Sequence, residues 1–112
     1  MSYLLQYARR PTNRRAQRAR IDERLRLNLP TFDGGAEVRV YVEDTSRART
    51  VVWPRLRLRI SDCANEIELE FGVESAEQRA NSFHKIDTLI GALDRFRGAL
   101  IAEATLYAER EK

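Results

Sequence analysis

Arg55-Leu56-Arg57-Leu58-Arg59-Ile60-Ser61-Asp62-Cys63-Ala64-Asn65-Glu66-Ile67-Glu68-Leu69-Glu70-Phe71 is the stretch that decides the fold. Its first six residues alternate base with apolar, and its last six alternate acid with apolar. Period-two alternation marks a half-buried strand, and the turn-rich gap Ser61 to Asn65 joins the two strands as a hairpin. Pairing Arg59 with Glu66 sets Arg57 opposite Glu68 and Arg55 opposite Glu70. The same register sets Leu58 beside Ile67 and Leu56 beside Leu69 on the other face. A cross-strand charge pair contributes only about 0.2–1 kcal/mol. Its larger effect is on register, since a slip by one residue moves charge onto the apolar face.

Upstream the alternation recurs. Arg24-Leu25-Arg26-Leu27-Asn28-Leu29 predicts a first strand over about 23–29, ended by Pro30, with Leu25, Leu27 and Leu29 toward the core. The same residues would also extend a helix from Ile21 to Leu25. Asp33-Gly34-Gly35 is a turn signal. Glu37-Val38-Arg39-Val40-Tyr41-Val42-Glu43 predicts a second strand over about 37–43, its valines inward and Arg39 and Tyr41 outward. The third strand is expected over about 51–60, where Pro54 requires an edge or a bulge, and the fourth over about 66–72.

Downstream, Ser75-Ala76-Glu77-Gln78 has the form of a capping box. Beyond it Ile86, Leu93, Leu100 and Tyr107 recur every seven residues, with Leu89, Ile90, Phe96 and Ala104 beside them. This periodicity predicts one helix beginning at about 76 or 82 and ending at about 109. Asn81-Ser82 marks a kink or second cap. The expected fold is therefore α+β: a four-stranded antiparallel meander packed on one long C-terminal helix. A helix of about 28 residues is about 42 Å long, whereas a seven-residue strand spans about 23 Å. The helix would overhang such a sheet with its apolar stripe uncovered. A second copy, meeting it through Ile86, Leu93, Phe96, Leu100, Ala104 and Tyr107, is the expected cover; the alternative is fold-back of Tyr3, Leu4, Leu5 and Tyr7.

Residues 1–22 read as a basic N-terminal arm, flexible or conditionally helical, ahead of a single domain over 23–112. Arg9, Arg10, Arg14, Arg15, Arg18 and Arg20 precede the first acid, Asp22. Net charge is only +3, but residues 1–59 hold 14 basic and 6 acidic groups, and residues 60–112 hold 6 basic and 11 acidic. Such asymmetry points to an electrostatic partner for the first half. Eighteen of the twenty basic residues are arginine, the residue that forms bidentate contacts to phosphate. The expected nucleic-acid-binding set is the six arm arginines with Arg39, Tyr41, Arg55 and Arg57. Arg24, Arg26 and Arg59 share the outward face, and Tyr41 and Trp53 offer stacking surface of the kind that single strands use.

Other chemistries find little footing. One cysteine, Cys63, and one histidine, His84, exclude an intrachain disulfide and a zinc site built from three or four such ligands. Gly34-Gly35 precedes a strand and makes no phosphate loop. Ser82, His84 and Asp87 are neighbours on one predicted helix, which does not supply triad geometry. No cofactor or metal is expected, and no enzymatic role. The absence of an apolar run long enough for a membrane span, and of a signal peptide at the start, reads as cytoplasmic. The leading expectation is a small nucleic-acid-binding protein, in particular for single strands. The alternative is a protein-binding adaptor or inhibitor, of the kind virus- or plasmid-encoded regulators direct at a host protein, acting through the helix or the sheet face. In arrangement alone, four strands followed by a long helix is similar to the Whirly single-stranded DNA-binding fold, which dimerises. No residue motif accompanies that likeness, so no site residue is carried over from it.

Overall fold

The computed structural model describes residues 18–47 and 53–112, and the first seventeen residues of the expected arm lie outside them. The chain divides into two compact units, one ending at Glu74 and one spanning Ser75–Lys112.

The first unit is a four-stranded antiparallel sheet in the order β1(Arg18–Arg26), β2(Glu37–Asp44), β3(Leu56–Asp62), β4(Asn65–Glu70). Consecutive neighbours joined by local connections make a meander, as the alternating segments require. Ile21 and Leu25 of β1, Val38, Val40 and Val42 of β2, Leu56, Leu58 and Ile60 of β3, and Ile67 and Leu69 of β4 share one face through the pairing registers. The central strands are half-buried apart from buried Glu43 and exposed Asp62, whereas every residue of β1 is exposed. Ala36, Glu43 and Pro54 are the buried positions among the described residues.

Several strand boundaries and one register differ from expectation. β1 ends at Arg26, not at residue 29, because Leu29 to Phe32 folds into a turn closed by the Phe32 N–H on the Leu29 carbonyl at 2.9 Å. Leu29 therefore leaves the sheet, while the Leu27 N–H still donates to the Ala36 carbonyl at 2.9 Å just beyond the strand; the two side chains are 67% and 55% exposed, and Leu25, though in the sheet, is 50% exposed on its edge. The strand instead extends back through Arg18, matching the length of β2, so residues 18–22 of the expected arm are sheet. A bulge between Ala19 and Ile21 leaves Arg20 as the extra residue. Residues 53–55 precede β3 outside the strand, since Pro54 has no N–H for the ladder. The segment 51–52 lies outside the described residues. β4 ends at Glu70, two residues before the expected end.

The hairpin is in register Arg57↔Glu70, Arg59↔Glu68, Ser61↔Glu66 and Asp62↔Asn65, with Leu58 beside Leu69 and Ile60 beside Ile67. It is offset by two residues from the expected pairing. Pairing continues to a two-residue loop, Cys63-Ala64, in which Cys63 takes φ 57°. Two-residue loops match the twist of the flanking strands and need a positive φ in the turn. An offset of two preserves both faces, so alternation alone does not exclude it.

The second unit is α1(Ala76–Arg110), a single helix of 35 residues and about 52 Å. Ser75 caps it: its Oγ accepts the Gln78 N–H at 3.0 Å, and its carbonyl accepts the Arg79 N–H at 2.9 Å. Glu77 in the first turn and Arg110 in the last complement the helix dipole. The helix continues through Asn81 and Ser82. No residue of it is buried. No helix among the described residues is long and apolar enough to cross a membrane.

Candidate nucleic-acid interface

The face of the sheet opposite the valines is built in rows. One row reads Arg24, Arg39, Arg59, Glu68 across the four strands; the next reads Asp22, Tyr41, Arg57, Glu70; the third reads Arg26, Glu37, Ser61, Glu66. Base thus dominates β1 to β3, and acid fills β4. Three arginines abreast, on strands about 4.8 Å apart, set like charges directly opposite one another, which is unfavourable within a sheet.

Neighbouring acids relieve this unevenly. Arg59 is engaged twice, through Nε to Glu66 at 2.9 Å and through Nη2 to Glu68 at 3.1 Å. Arg57 meets Glu68 more loosely at 3.8 Å, and Arg39 Nη2 lies 3.4 Å from Asp22. Two of these pairs, Arg59 with Glu66 and Arg57 with Glu68, were expected as direct cross-strand partners; in the observed register they are diagonals. The Arg39 Nε atom is buried with no hydrogen-bond partner. Arg39, Tyr41, Arg57 and Arg59 together line a shallow, open cleft. Each of the three arginine side chains retains about a third of its surface, 30%, 34% and 35% for Arg39, Arg57 and Arg59.

The expected set therefore separates. Arg39, Tyr41 and Arg57 come together, joined by Arg59, whose alternation with them is visible in the sequence. Arg18 and Arg20 do not join them. Arg18 is opposite Asp44 at the end of the β1–β2 pair, and Arg20 Nη2 lies 3.3 Å from the Asp44 carboxylate. The Asp44 carboxyl is held below its ordinary range, chiefly by the Ser46 N–H at 2.9 Å and also by the Ser46 side chain and the charges of Arg20 and Arg18. Arg55 stands just before β3, its backbone N–H donated to Glu43 Oε1 at 2.9 Å. Arg9, Arg10, Arg14 and Arg15 lie outside the described residues.

The expected self-association set all falls on α1. Ile86 is half-buried, and Leu93, Phe96, Leu100, Ala104 and Tyr107 are exposed. Phe83, at 68% exposure, lies on the edge of the same stripe; its place one helical turn before Ile86 was the available signal. His84 is exposed, with Nε2 3.5 Å from Thr88 Oγ1. No protein-family model, curated protein or solved structure matches the chain.

Proposed function

We propose that the polar sheet face binds nucleic acid non-enzymatically, through the phosphate backbone and with a preference for single strands. The observation that carries this reading is the Arg24–Arg39–Arg59 row with Arg57 and Tyr41 beside it. A sheet gains nothing by itself from like charges abreast, whereas a polyanion laid across them relieves the repulsion. Guanidinium groups bind phosphate bidentately and keep their charge at all physiological pH values. Tyr41 in the same cleft supplies an aromatic surface for a base, a contact worth about 1–3 kcal/mol and tolerant of sequence. Arg9, Arg10, Arg14 and Arg15 precede β1 in the sequence and supply further phosphate-directed charge. The acidic β4 limits the basic surface to β1 to β3 and gives the face a direction.

Fluorescence anisotropy with labelled single- and double-stranded oligonucleotides tests the proposal. Binding at low salt is expected, tighter for the single strand. Arg39→Ala with Arg57→Ala should weaken it at least tenfold, and Tyr41→Ala should weaken single-strand binding more than duplex binding. No binding of the wild type at low salt ends the reading.

The exposed apolar stripe of α1 favours a second reading, a cytoplasmic adaptor or inhibitor directed at a host protein through an amphipathic helix. A pull-down after nuclease treatment that recovers one stoichiometric protein supports it, and loss of all captured protein on nuclease treatment supports the first.

A further inference from the structure

We infer that Glu68 is an internal competitor for phosphate on the basic sheet face and sets how tightly a polyanion binds there, an inference that rests on the nucleic-acid reading of that face. The Glu68 carboxylate spans two guanidinium groups. Its Oε1 lies 3.1 Å from Arg59 Nη2, and its Oε2 lies 3.8 Å from Arg57 Nη1. One anion with an oxygen on each of two arginines is the arrangement a bridging phosphate would adopt. Register puts Glu68 there: it is directly opposite Arg59 across the β3–β4 ladder and diagonal to Arg57.

The two edge strands draw the central arginines apart. Arg39 of β2 reaches Asp22 of β1, Nη2 to Oδ1 at 3.4 Å, whereas Arg57 and Arg59 of β3 reach Glu68 of β4. Arg59 is held a second time, by Glu66 at 2.9 Å, so it stays paired when Glu68 is lost. The contact of Arg57 with Glu68 is longer, and 34% of the Arg57 side chain is exposed. Arg57 is therefore the arginine that an incoming anion takes over from Glu68. On the β2 side, Arg39 Nε is buried with no hydrogen-bond partner among the described residues. A phosphate in the cleft, against Arg39 and Arg57, meets the Glu68 charge at close range. Like charges at such a distance repel strongly near a protein surface, so Glu68 lowers affinity until it is displaced.

Anisotropy with one labelled single-stranded oligonucleotide across a salt series tests this on the full chain. Glu68→Gln keeps an acceptor for Arg59 and removes the charge, and should tighten binding about three- to tenfold at low salt. The slope of log affinity against log salt should steepen by about 0.7, since Arg57 then meets phosphate in place of an internal carboxylate. Glu68→Thr, which keeps the strand preference, should move both readings in the same direction. Glu23→Gln changes net charge equally but lies on the other face, opposite Val40. It should tighten binding less than about twofold at about 0.1 M salt, where the screening length is about 10 Å. In an Arg57→Gln background the Glu68→Gln gain should disappear, which a general charge effect would not cause. Circular dichroism checks that each variant is folded. A wild type that binds while the folded Glu68 variants bind no tighter overturns the inference and leaves the reading of the face standing. So does an equal gain from Glu23→Gln, or a gain that persists without Arg57. No binding by wild type or variants at low salt overturns both.

Discussion

Glu43 is a carboxylate that takes the place of a strand carbonyl. It is 3% exposed, its Oε1 accepts the Arg55 N–H at 2.9 Å, and its own N–H donates to the Arg55 carbonyl at 2.9 Å. It thereby extends the β2–β3 pairing one residue beyond Val42 and Leu56, to Arg55 beside Pro54. A hydrogen bond to a charged group contributes about 1.5–3 kcal/mol, so Glu43→Ala should destabilise the chain by about that amount in urea unfolding. Glu43→Gln keeps an acceptor and should lose less. Equal losses would show that Oε1 does not hold Arg55. Asp44, next along, tunes stability with pH. Its carboxyl titrates below the ordinary aspartate value because the Ser46 N–H, then the Ser46 side chain and the Arg20 and Arg18 charges, favour the ionised form. A lowered folded value means that the stabilisation is full above the unfolded value of about 3.9. It is lost as pH falls through the lowered folded value. Asp44→Asn should flatten the fall in thermal stability over that acid window, and an unchanged profile would contradict the assignment. Nothing in the sequence singles Glu43 out, because an acid ending a valine-alternating strand looks solvated until the Arg55 N–H is seen to need an acceptor.

The elements were legible wherever a period ran long. Alternation located the hairpin and β2; the seven-residue recurrence located the end of α1 to within a residue, and of the two expected starts, about 76 and about 82, the helix takes the one marked by Ser75-x-x-Gln78. The hairpin register was not legible, since a two-residue offset leaves every side chain on its face and only the Cys63 turn decides between the alternatives. β1 misled for a different reason: Leu27 and Leu29 continue the alternation, but the strand ends at Arg26 and the Leu29–Phe32 turn takes Leu29 out of the sheet. The turn after them turns on one glycine. Gly34 sits at φ +109° with Asn28 Nδ2 3.3 Å from where a Cβ would stand, whereas Gly35 has open space and an ordinary φ. Gly34→Ala should destabilise the sheet by about 1–3 kcal/mol, and Gly35→Ala should leave it unchanged or raise its stability by up to about 1 kcal/mol. Equal effects in urea unfolding would contradict this division. At the other end of the chain, Ser75→Ala removes the acceptor of the Gln78 N–H and should lower stability by about 0.5–2 kcal/mol. The loss should be accompanied by faster amide exchange in the first turn of α1.

At the scale of the whole molecule, the division of charge between halves of the sequence becomes a division across strands, basic on β1 to β3 and acidic on β4. The sequence indicated an arginine-bearing face, but the expected set included Arg18 and Arg20 and left out Arg59. Pairing sends those two to Asp44 and brings Arg59 in beside Arg39 and Arg57. That regrouping is a property of register, which composition does not carry. If the row is a phosphate track, its arginines act through counterion release, and the slope of log affinity against log salt counts them at about 0.7 per phosphate neutralised on a single strand. The decisive measurement is that slope for the wild type and for the chain carrying Arg39→Gln and Arg57→Gln, by anisotropy with one single-stranded oligonucleotide across a salt series. The wild type should bind with a clear negative slope, and the double variant should bind more weakly with a slope shallower by about one to two. An unchanged slope and affinity, or a wild type that does not bind at low salt, would contradict the account.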